Sequence, residues 1–554
     1  MRFSATALLA AAASLHAVNA ATADQWRSRS IYQLLTDRFA PPSDTAPART
    51  NPVPQTCDPQ AGTWCGGTWL SIIDKLDYLQ GMGIDAIWIS PVHQNIDVHT
   101  PYNYAYHGYW VNDVTQLNAR FGSEQDLETL ISELHKRDMY IMVDIAINSI
   151  PTLNQNDAVS ADSLSTDGSM WTDPAYFHPQ CWIDFSNQTS CEVCWFGDAN
   201  LPLMDVNTEH PHVISTLNSW ITDFVTKYKI DGLRLDAGKH IPGEFWSGFT
   251  KAAGVFTTGE VFDGNWSFTA DYQNKGFMDS VLGFPMNGAI VKAFGDQPKK
   301  NNVSDFGVAV SLALSTYKDP RVIGNFLENH DMARFRNITA DPVLAYNAMV
   351  AQFLIEGIPV TYYGQEQDLS DGNHDPYNRQ ALWPSNYENG TTYQRIARLN
   401  LVRKNLITTG IQFDGKAYMD DDSKAIAVTP TDIAFRKGPI VFTLNNRGSP
   451  EEAGATFGIQ ATGWPSQTAI IDLLSCHQFI TGSGGSLSIS YSQPGYGGLP
   501  YVFATAADAK TLGVCGRPTP VGVLAPNATN AALPSSPMSV GLMGAAALLT
   551  ASLF

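Results

Sequence analysis

From residue 26 to about residue 406 the chain alternates short apolar runs with segments of helical period, and this alternation restricts its fold more than any other feature. Strand-like runs occupy residues 31–35, 86–90, 140–145, 232–236, 255–259, 322–327 and 358–363, with helical periods such as 123–137 and 213–228 between them. A strand followed by a helix and a further strand returns parallel to the first, so many such units in one run predict an α/β chain closed as a (β/α)8 TIM barrel. Between residues 148 and 203 the alternation lapses into a Ser/Thr/Asp/Asn-rich, cysteine-bearing stretch too long for an ordinary barrel loop, which predicts a subdomain inserted after the third strand. Beyond about residue 410 the helical periods give way to short β-rich runs and Gly-rich turns, the pattern of a C-terminal antiparallel β-sandwich domain. The expected organisation is barrel at 21–148, insert at 149–208, barrel again at 209–409 and β domain at 410–516.

The ends carry separate signals. Arg2, the apolar run 7–13 and Val18-Asn19-Ala20 match an export signal over residues 1–20, with the mature chain starting at Ala21. Residues 517–537 are Pro/Ala/Asn/Ser-rich, as in a flexible stalk, and 538–554 are apolar and uncharged. Small residues Asn527-Ala528-Thr529, a polar spacer and this tail form the pattern of a GPI-anchor signal, with Asn527 or Asn530 as attachment residue. The competing reading is a transmembrane helix, but the tail is short for a span and has no basic flank after it. The expected location is the outer face of the plasma membrane or the cell wall, the molecule being a monomer.

An exported chain with seven cysteines predicts disulfides and one thiol left over. Cys57 with Cys65 and Cys181 with Cys194 close short loops, and Cys476 with Cys515 ties the last domain; Cys191 is the odd thiol, unless it takes Cys181 instead. Sequons at Asn187, Asn265, Asn302, Asn337, Asn389 and Asn527 accord with a secretory route. The balance of 34 basic against 53 acidic residues, net −19, repels phosphate backbones and argues against a nucleic-acid partner. A neutral polyhydroxylated substrate suits it better.

Three stretches carry the chemistry: Gly232-Leu-Arg-Leu-Asp236, Thr258-Gly-Glu260 and Glu328-Asn-His-Asp331. Each places a carboxylate at the end of a strand-like run, so in a parallel sheet Asp236, Glu260 and Asp331 converge at one mouth. Period-two geometry points Arg234 and Asp236 to the same side, and a guanidinium beside a carboxylate favours its ionised form, as a nucleophile requires. Taken alone, the pair equally fits a structural ion pair of the barrel lining. Anionic neighbours and partial burial raise the pKa of Glu260, which suits a general acid, and Asp331 can hold sugar hydroxyls as the ring flattens. Candidate binders are His107, Tyr109 and Trp110, then Lys239, His240, Asp375 and Arg379; either Tyr109 or Trp110 alone reads rather as core packing. Asn148, Glu192 and the His240 carbonyl offer hard oxygens suited to calcium.

With these residues in view, the chain resembles the fungal α-amylases of the α-amylase glycoside hydrolase family. The likeness runs from residue 26 to about 515 through Ser30-Ile-Tyr, Leu35-Thr-Asp-Arg-Phe39, Cys65-Gly-Gly-Thr-Trp69 and the three motifs above. The resemblance implies a retaining mechanism on α-(1→4)-glucans or maltooligosaccharides, with Asp236 as nucleophile, Glu260 as acid/base and Asp331 as transition-state stabiliser. It also implies a cleft lined by His107, Tyr109, Trp110, Arg234, Lys239, His240, Gly264, His330, Asp375 and Arg379, and calcium held by Asn148, Glu192 and His240. Two departures stand out. Asp144 and Asn148 are present, but Ser149 stands where the family has a sugar-binding histidine, and Leu203 replaces an aspartate ligand of calcium, which weakens the site. Together with the tail, they make the chain similar to the cell-surface branch of the family, whose members resemble 4-α-glucanotransferases of cell-wall α-glucan metabolism. An ordinary secreted starch-hydrolysing enzyme and a non-catalytic α-glucan-binding wall protein are the alternatives.

Overall fold

The computed structural model describes residues 21–42, 57–153, 164, 168–296, 298–449, 455–491, 497–516 and 519–520. The expected export signal, both candidate anchor residues and the apolar tail lie outside these residues.

Eight parallel strands form the main sheet: β1 (Ile31–Leu34), β2 (Ala86–Ile89), β3 (Tyr140–Ile145), β4 (Gly232–Leu235), β5 (Phe256–Gly259), β6 (Ser280–Val281), β7 (Gly324–Asn325) and β8 (Ile358–Tyr362). Their order is β6-β5-β4-β3-β2-β1-β8-β7. A parallel bridge between Leu282 and Gly324 joins β6 to β7 and closes the barrel. The strands are almost wholly buried because the sheet is covered on both faces, which is why they read as continuous apolar runs.

Period-two alternation divides the strand residues between two cores. Ile31, Ala86, Trp88, Met142, Phe256 and Val360 point into the barrel, where Trp26 plugs one end. Tyr32, Ile87, Ile89, Ile141, Val143, Leu233 and Leu235 face outward beneath the helices. Gly232 is required by the plug: a Cβ there would lie 2.7 Å from the Trp26 ring. The helices follow their local signals. Ser123 caps α1 (Glu124–Lys136) by accepting from the Asp126 amide, and α2 (Pro211–Tyr228) starts on proline and stops at Lys229 in a left-handed conformation.

Between β3 and β4 the chain forms a three-stranded antiparallel sheet of Ser149–Pro151, Leu201–Asp205 and Phe196–Asp198, beside the Cys181–Cys194 disulfide. Cys57–Cys65 and Cys476–Cys515 are the other bonds, leaving Cys191 as a buried free thiol. The C-terminal region is a seven-stranded, mainly antiparallel sheet packed against the pair Thr456–Ile459 and Leu487–Ser490. Phe457, Ile459, Trp464, Ile489 and Phe503 fill the space between them. This region docks on the barrel through the Arg398 guanidinium, which donates to the Leu473 and Val514 carbonyls, and through the Asn347 side chain, which accepts from the Asn445 amide.

Candidate active site

The inward-facing residues of β3, β4 and β5 change from apolar to charged as the strands reach one end of the barrel. Met142 gives way to Asp144, Gly232 to Arg234 and Asp236, and Phe256 to Thr258 and Glu260. The pairing register sets Asp144 opposite Arg234 and Arg234 opposite Thr258, so the charges meet across neighbouring strands.

Arg234, 1% exposed, is the hub. Its Nη1 donates to Asp144 Oδ1 at 2.9 Å and to Asp236 Oδ1 at 2.6 Å, while its Nη2 lies 2.9 Å from Glu260 Oε2. Asp144 is saturated: its other oxygen accepts from Trp88 Nε1 at 3.0 Å and from the Tyr109 hydroxyl at 2.8 Å. It therefore anchors the guanidinium and leaves the cleft to its neighbours. Glu260 Oε2 also accepts from the Ala237 amide at 2.9 Å. Across the cleft, Asp331 lies 3.3 Å from Arg379 Nη2 and 3.1 Å from His330 Nε2, and Arg379 Nη1 is 2.9 Å from Asp375.

Burial pushes the Asp236 carboxyl well above the usual carboxylate range; Arg234 opposes the shift, and the charges of Glu260 and Asp144 add to it. Burial likewise raises Glu260, opposed by Arg234 and reinforced by Asp331, and raises Asp331 against Arg379 and Arg234. Five carboxylates, Asp144, Asp236, Glu260, Asp331 and Asp375, surround two guanidiniums, and this excess of negative charge in a largely buried site favours keeping a proton. Asp236 keeps 22% of its side chain accessible against 11% for Glu260, and Arg234 approaches it more closely, so Glu260 is the better place for that proton.

Burial holds His107 and His330 neutral. Gln33 Nε2 donates to His330 Nδ1 at 2.8 Å, which assigns the ring proton to Nε2, facing Asp331. Tyr109 stacks flat on His330 with ring centroids 5.0 Å apart, and Trp110 stands edge-on to His107 at 4.7 Å. These rings make one wall of a cleft with about 820 Å³ of space, part of it open to solvent. Ser149, Phe196, Leu203 and Phe262 also line it.

Of the residues expected here, the structure brings His107, Tyr109, Trp110, Ser149, His240, His330 and Arg379 to the cleft with the three carboxylates. Arg234 lies beneath it. Lys239 is buried with its ammonium on the Phe262 carbonyl at 2.7 Å, and Asp375, raised to about 6 by burial, faces Arg379 behind the wall. Gly264 is exposed on the loop after β5 and is absent from the cleft wall. Phe196 and Phe262 were not foreseen; Phe262 shares the parity of Glu260, a signal that could have found it, whereas Phe196 sits in the insert, where no period helps.

The donors for calcium form an incomplete shell. Asn148 Oδ1 is buried without a partner and suits a cation, but Asn148 Nδ2 is committed to Asp205 at 3.3 Å and Glu192 already accepts from Gln188 at 2.8 Å. Leu203 packs against the cluster of Ile96, Ala105, Trp110 and Leu201 instead of supplying oxygen. Calcium takes six to eight oxygens, and these side chains do not provide them. Among the described residues no group of three or more His, Cys, Asp or Glu could hold a metal.

Comparisons with known proteins agree with this geometry. Residues 33–397 match the family description "Alpha amylase, catalytic domain" and residues 425–521 match "Alpha-amylase, domain C". Alpha-amylase 1 of Schwanniomyces occidentalis is 38% identical over 505 residues, covering 90% of this chain and 93% of its own. The alpha-amylase of Saccharomycopsis fibuligera is 38% identical over 522 residues, covering 92% of this chain and 100% of its own. The structure of an alpha-amylase from Malbranchea cinnamomea superposes with TM-score 0.78 at 37% identity, covering 88% of this chain and 98% of that one. A strand-end carboxylate cluster in a closed barrel, a C-terminal β region and these matches have one reading: the chain belongs to the α-amylase family of glycoside hydrolases.

Proposed function

We propose that this enzyme cleaves α-(1→4)-glucans with retention of configuration and passes the cleaved segment to another sugar, as a 4-α-glucanotransferase of cell-wall α-glucan. The carrying observation is that one guanidinium holds Asp236 and Glu260 at its two ends, with Asp331 facing them. In this reading Glu260 protonates the glycosidic oxygen while Asp236 attacks C1; the C1–O bond breaks as the C1–Asp236 ester forms. Glu260, now a carboxylate, takes the proton of the incoming hydroxyl, which displaces Asp236. Asp331, with His330 and Arg379 beside it, binds ring hydroxyls as positive charge develops.

Whether water or sugar attacks decides between hydrolysis and transfer. Phe196, Leu203 and Phe262 give the cleft lining an apolar share that suits the faces of sugar rings and disfavours loose water. Maltoheptaose incubated with the pure protein is expected to give products longer than the substrate; only shorter products would leave hydrolysis as the activity. The proposed place of action is the outer membrane face or wall, held by a GPI anchor. A phosphatidylinositol-specific phospholipase is then expected to release the protein from cells, and retention after digestion would refute the anchor.

We read the calcium shell as weakened. Leu203→Asp is expected to make the melting temperature rise on calcium addition by several degrees more than that of the wild type, since binding to the native state alone adds stability by mass action. Equal responses in thermal melts would refute the role of Leu203.

A further inference from the structure

The turn Ala237-Gly238-Lys239, which follows Asp236, is buried and meets the end of β5 at three points. The Ala237 amide donates to Glu260 Oε2 at 2.9 Å. Gly238 packs on the Glu260 backbone so closely that a Cβ there would lie 2.7 Å from the Glu260 carbonyl oxygen. Lys239 Nζ donates to the Phe262 carbonyl at 2.7 Å. We propose that this turn is a positioning device for the general acid: the Ala237 amide pins Oε2 of Glu260, Gly238 makes room for that contact, and Oε1 is the oxygen that delivers the proton. The proposal rests on Glu260 as the acid of the reaction.

Local preference at the first two residues runs opposite to the residues present. Ala237 holds φ 50° and ψ 37°, the left-handed region that glycine enters freely and alanine only with strain. Gly238 has no such φ, so its conformation does not call for glycine. What excludes a side chain there is space, because the atoms a Cβ would meet are backbone, the Glu260 carbonyl oxygen at 2.7 Å and its carbon at 3.2 Å, which cannot swing aside. Strained backbone persists only where its surroundings hold it, and it gathers at sites that aim a reacting group. Here the holders are the buried Trp246 indole, which donates to the Gly238 carbonyl at 2.9 Å, and the Lys239 ammonium on Phe262. The strained residue is the one whose N–H reaches Glu260.

Oε2 thereby faces two donors, the Ala237 amide and Arg234 Nη2, each at 2.9 Å. A carboxyl proton on that oxygen would crowd hydrogens already there, so the proton belongs on Oε1, which has no hydrogen-bond partner among the described residues. Burial raises the Glu260 pKa, and Arg234 and the Ala237 amide work against it by favouring the carboxylate. Loss of the amide contact therefore raises the pKa further, and a general acid with a higher pKa stays protonated to higher pH.

Two variants test the device. Gly238→Ala pushes the turn off Glu260, and replacing Ala237 by its ester analogue, lactic acid, deletes the N–H while keeping every side chain. Both are expected to lower kcat/KM on maltoheptaose about tenfold or more, the range of a misplaced catalytic group. Both should also move the basic limb of its pH profile up by about one unit, the size of one hydrogen bond to a charged group. On maltotriosyl fluoride, whose leaving group departs with little help from an acid, kcat/KM should fall by less than about threefold. A basic limb that stays in place in the ester variant, or equal losses on the two substrates, would overturn the proposal, and the ester variant decides if Gly238→Ala fails to fold. Wild-type activity retained in Glu260→Gln would instead refute Glu260 as the acid.

Discussion

Replacing Asp236 by Asn is expected to lower kcat by roughly 10⁴-fold, in the range seen when the central group of a covalent mechanism is removed. The amide is nearly isosteric and can still accept from Arg234, so KM for maltoheptaose should change little. The melting temperature should hold or rise, because one of five mutually repelling carboxylates is gone while Arg234 keeps Asp144 and Glu260. Initial rates and thermal melts on the same preparation check both halves. A loss under tenfold would remove Asp236 from the nucleophile role, and a collapse in melting temperature would show that its main duty is structural.

Arg234→Leu is expected to have the largest effect on stability. It strips the compensating charge from Asp144, Asp236 and Glu260, and breaking a buried ion pair from one side costs about 3–5 kcal/mol. The sign of its pH dependence follows from the directions above. Arg234 lowers the pKa of each of the three carboxyls, so its removal raises them further. A group whose folded pKa is raised contributes stability that is present at acid pH and lost as pH rises. The deficit relative to wild type should therefore be small near pH 4 and grow toward neutrality. Urea denaturation at several pH values measures it, and a deficit independent of pH would mean lost packing rather than lost charge. Arg234→Lys tests the same link in activity: it keeps a charge but loses the fork, so the acid limb of the pH–rate profile should move to higher pH as Asp236 becomes harder to ionise.

The barrel could be read from the sequence where strands are long and apolar. Tyr140–Ile145 and Ile358–Tyr362 stand out as unbroken runs, and helix ends were marked by Ser123 and by the aromatic and aliphatic period of α2. The strand Ser280–Val281 escaped notice because two residues leave no period to detect. The expected strand at 322–327 shrinks to Gly324–Asn325, since Pro320–Val322 turns as a 3₁₀ helix before it. At this corner the barrel is closed by a single bridge, a tertiary fact with no local signature.

At the site, the carboxylates were visible because a charge at the end of an apolar strand is costly without a purpose. Asp144 was noticed as a landmark beside Asn148, and its hold on Arg234 emerges only when Trp88 and Tyr109 arrive from other parts of the chain. Gly264, implied by the resemblance alone, stands off the cleft wall, and Lys239, a candidate binder from the residues, spends its charge on a backbone carbonyl.

Proton NMR of the first product released from maltoheptaose, recorded before mutarotation, tests the central claim most directly. Double displacement through Asp236 predicts that any reducing end freed by water appears as the α anomer and drifts toward equilibrium, and that the linkage made by transfer, which frees no reducing end, is itself α. A β anomer appearing first would mean direct attack by water opposite the leaving group, and the assignment of Asp236 as a covalent nucleophile would be wrong.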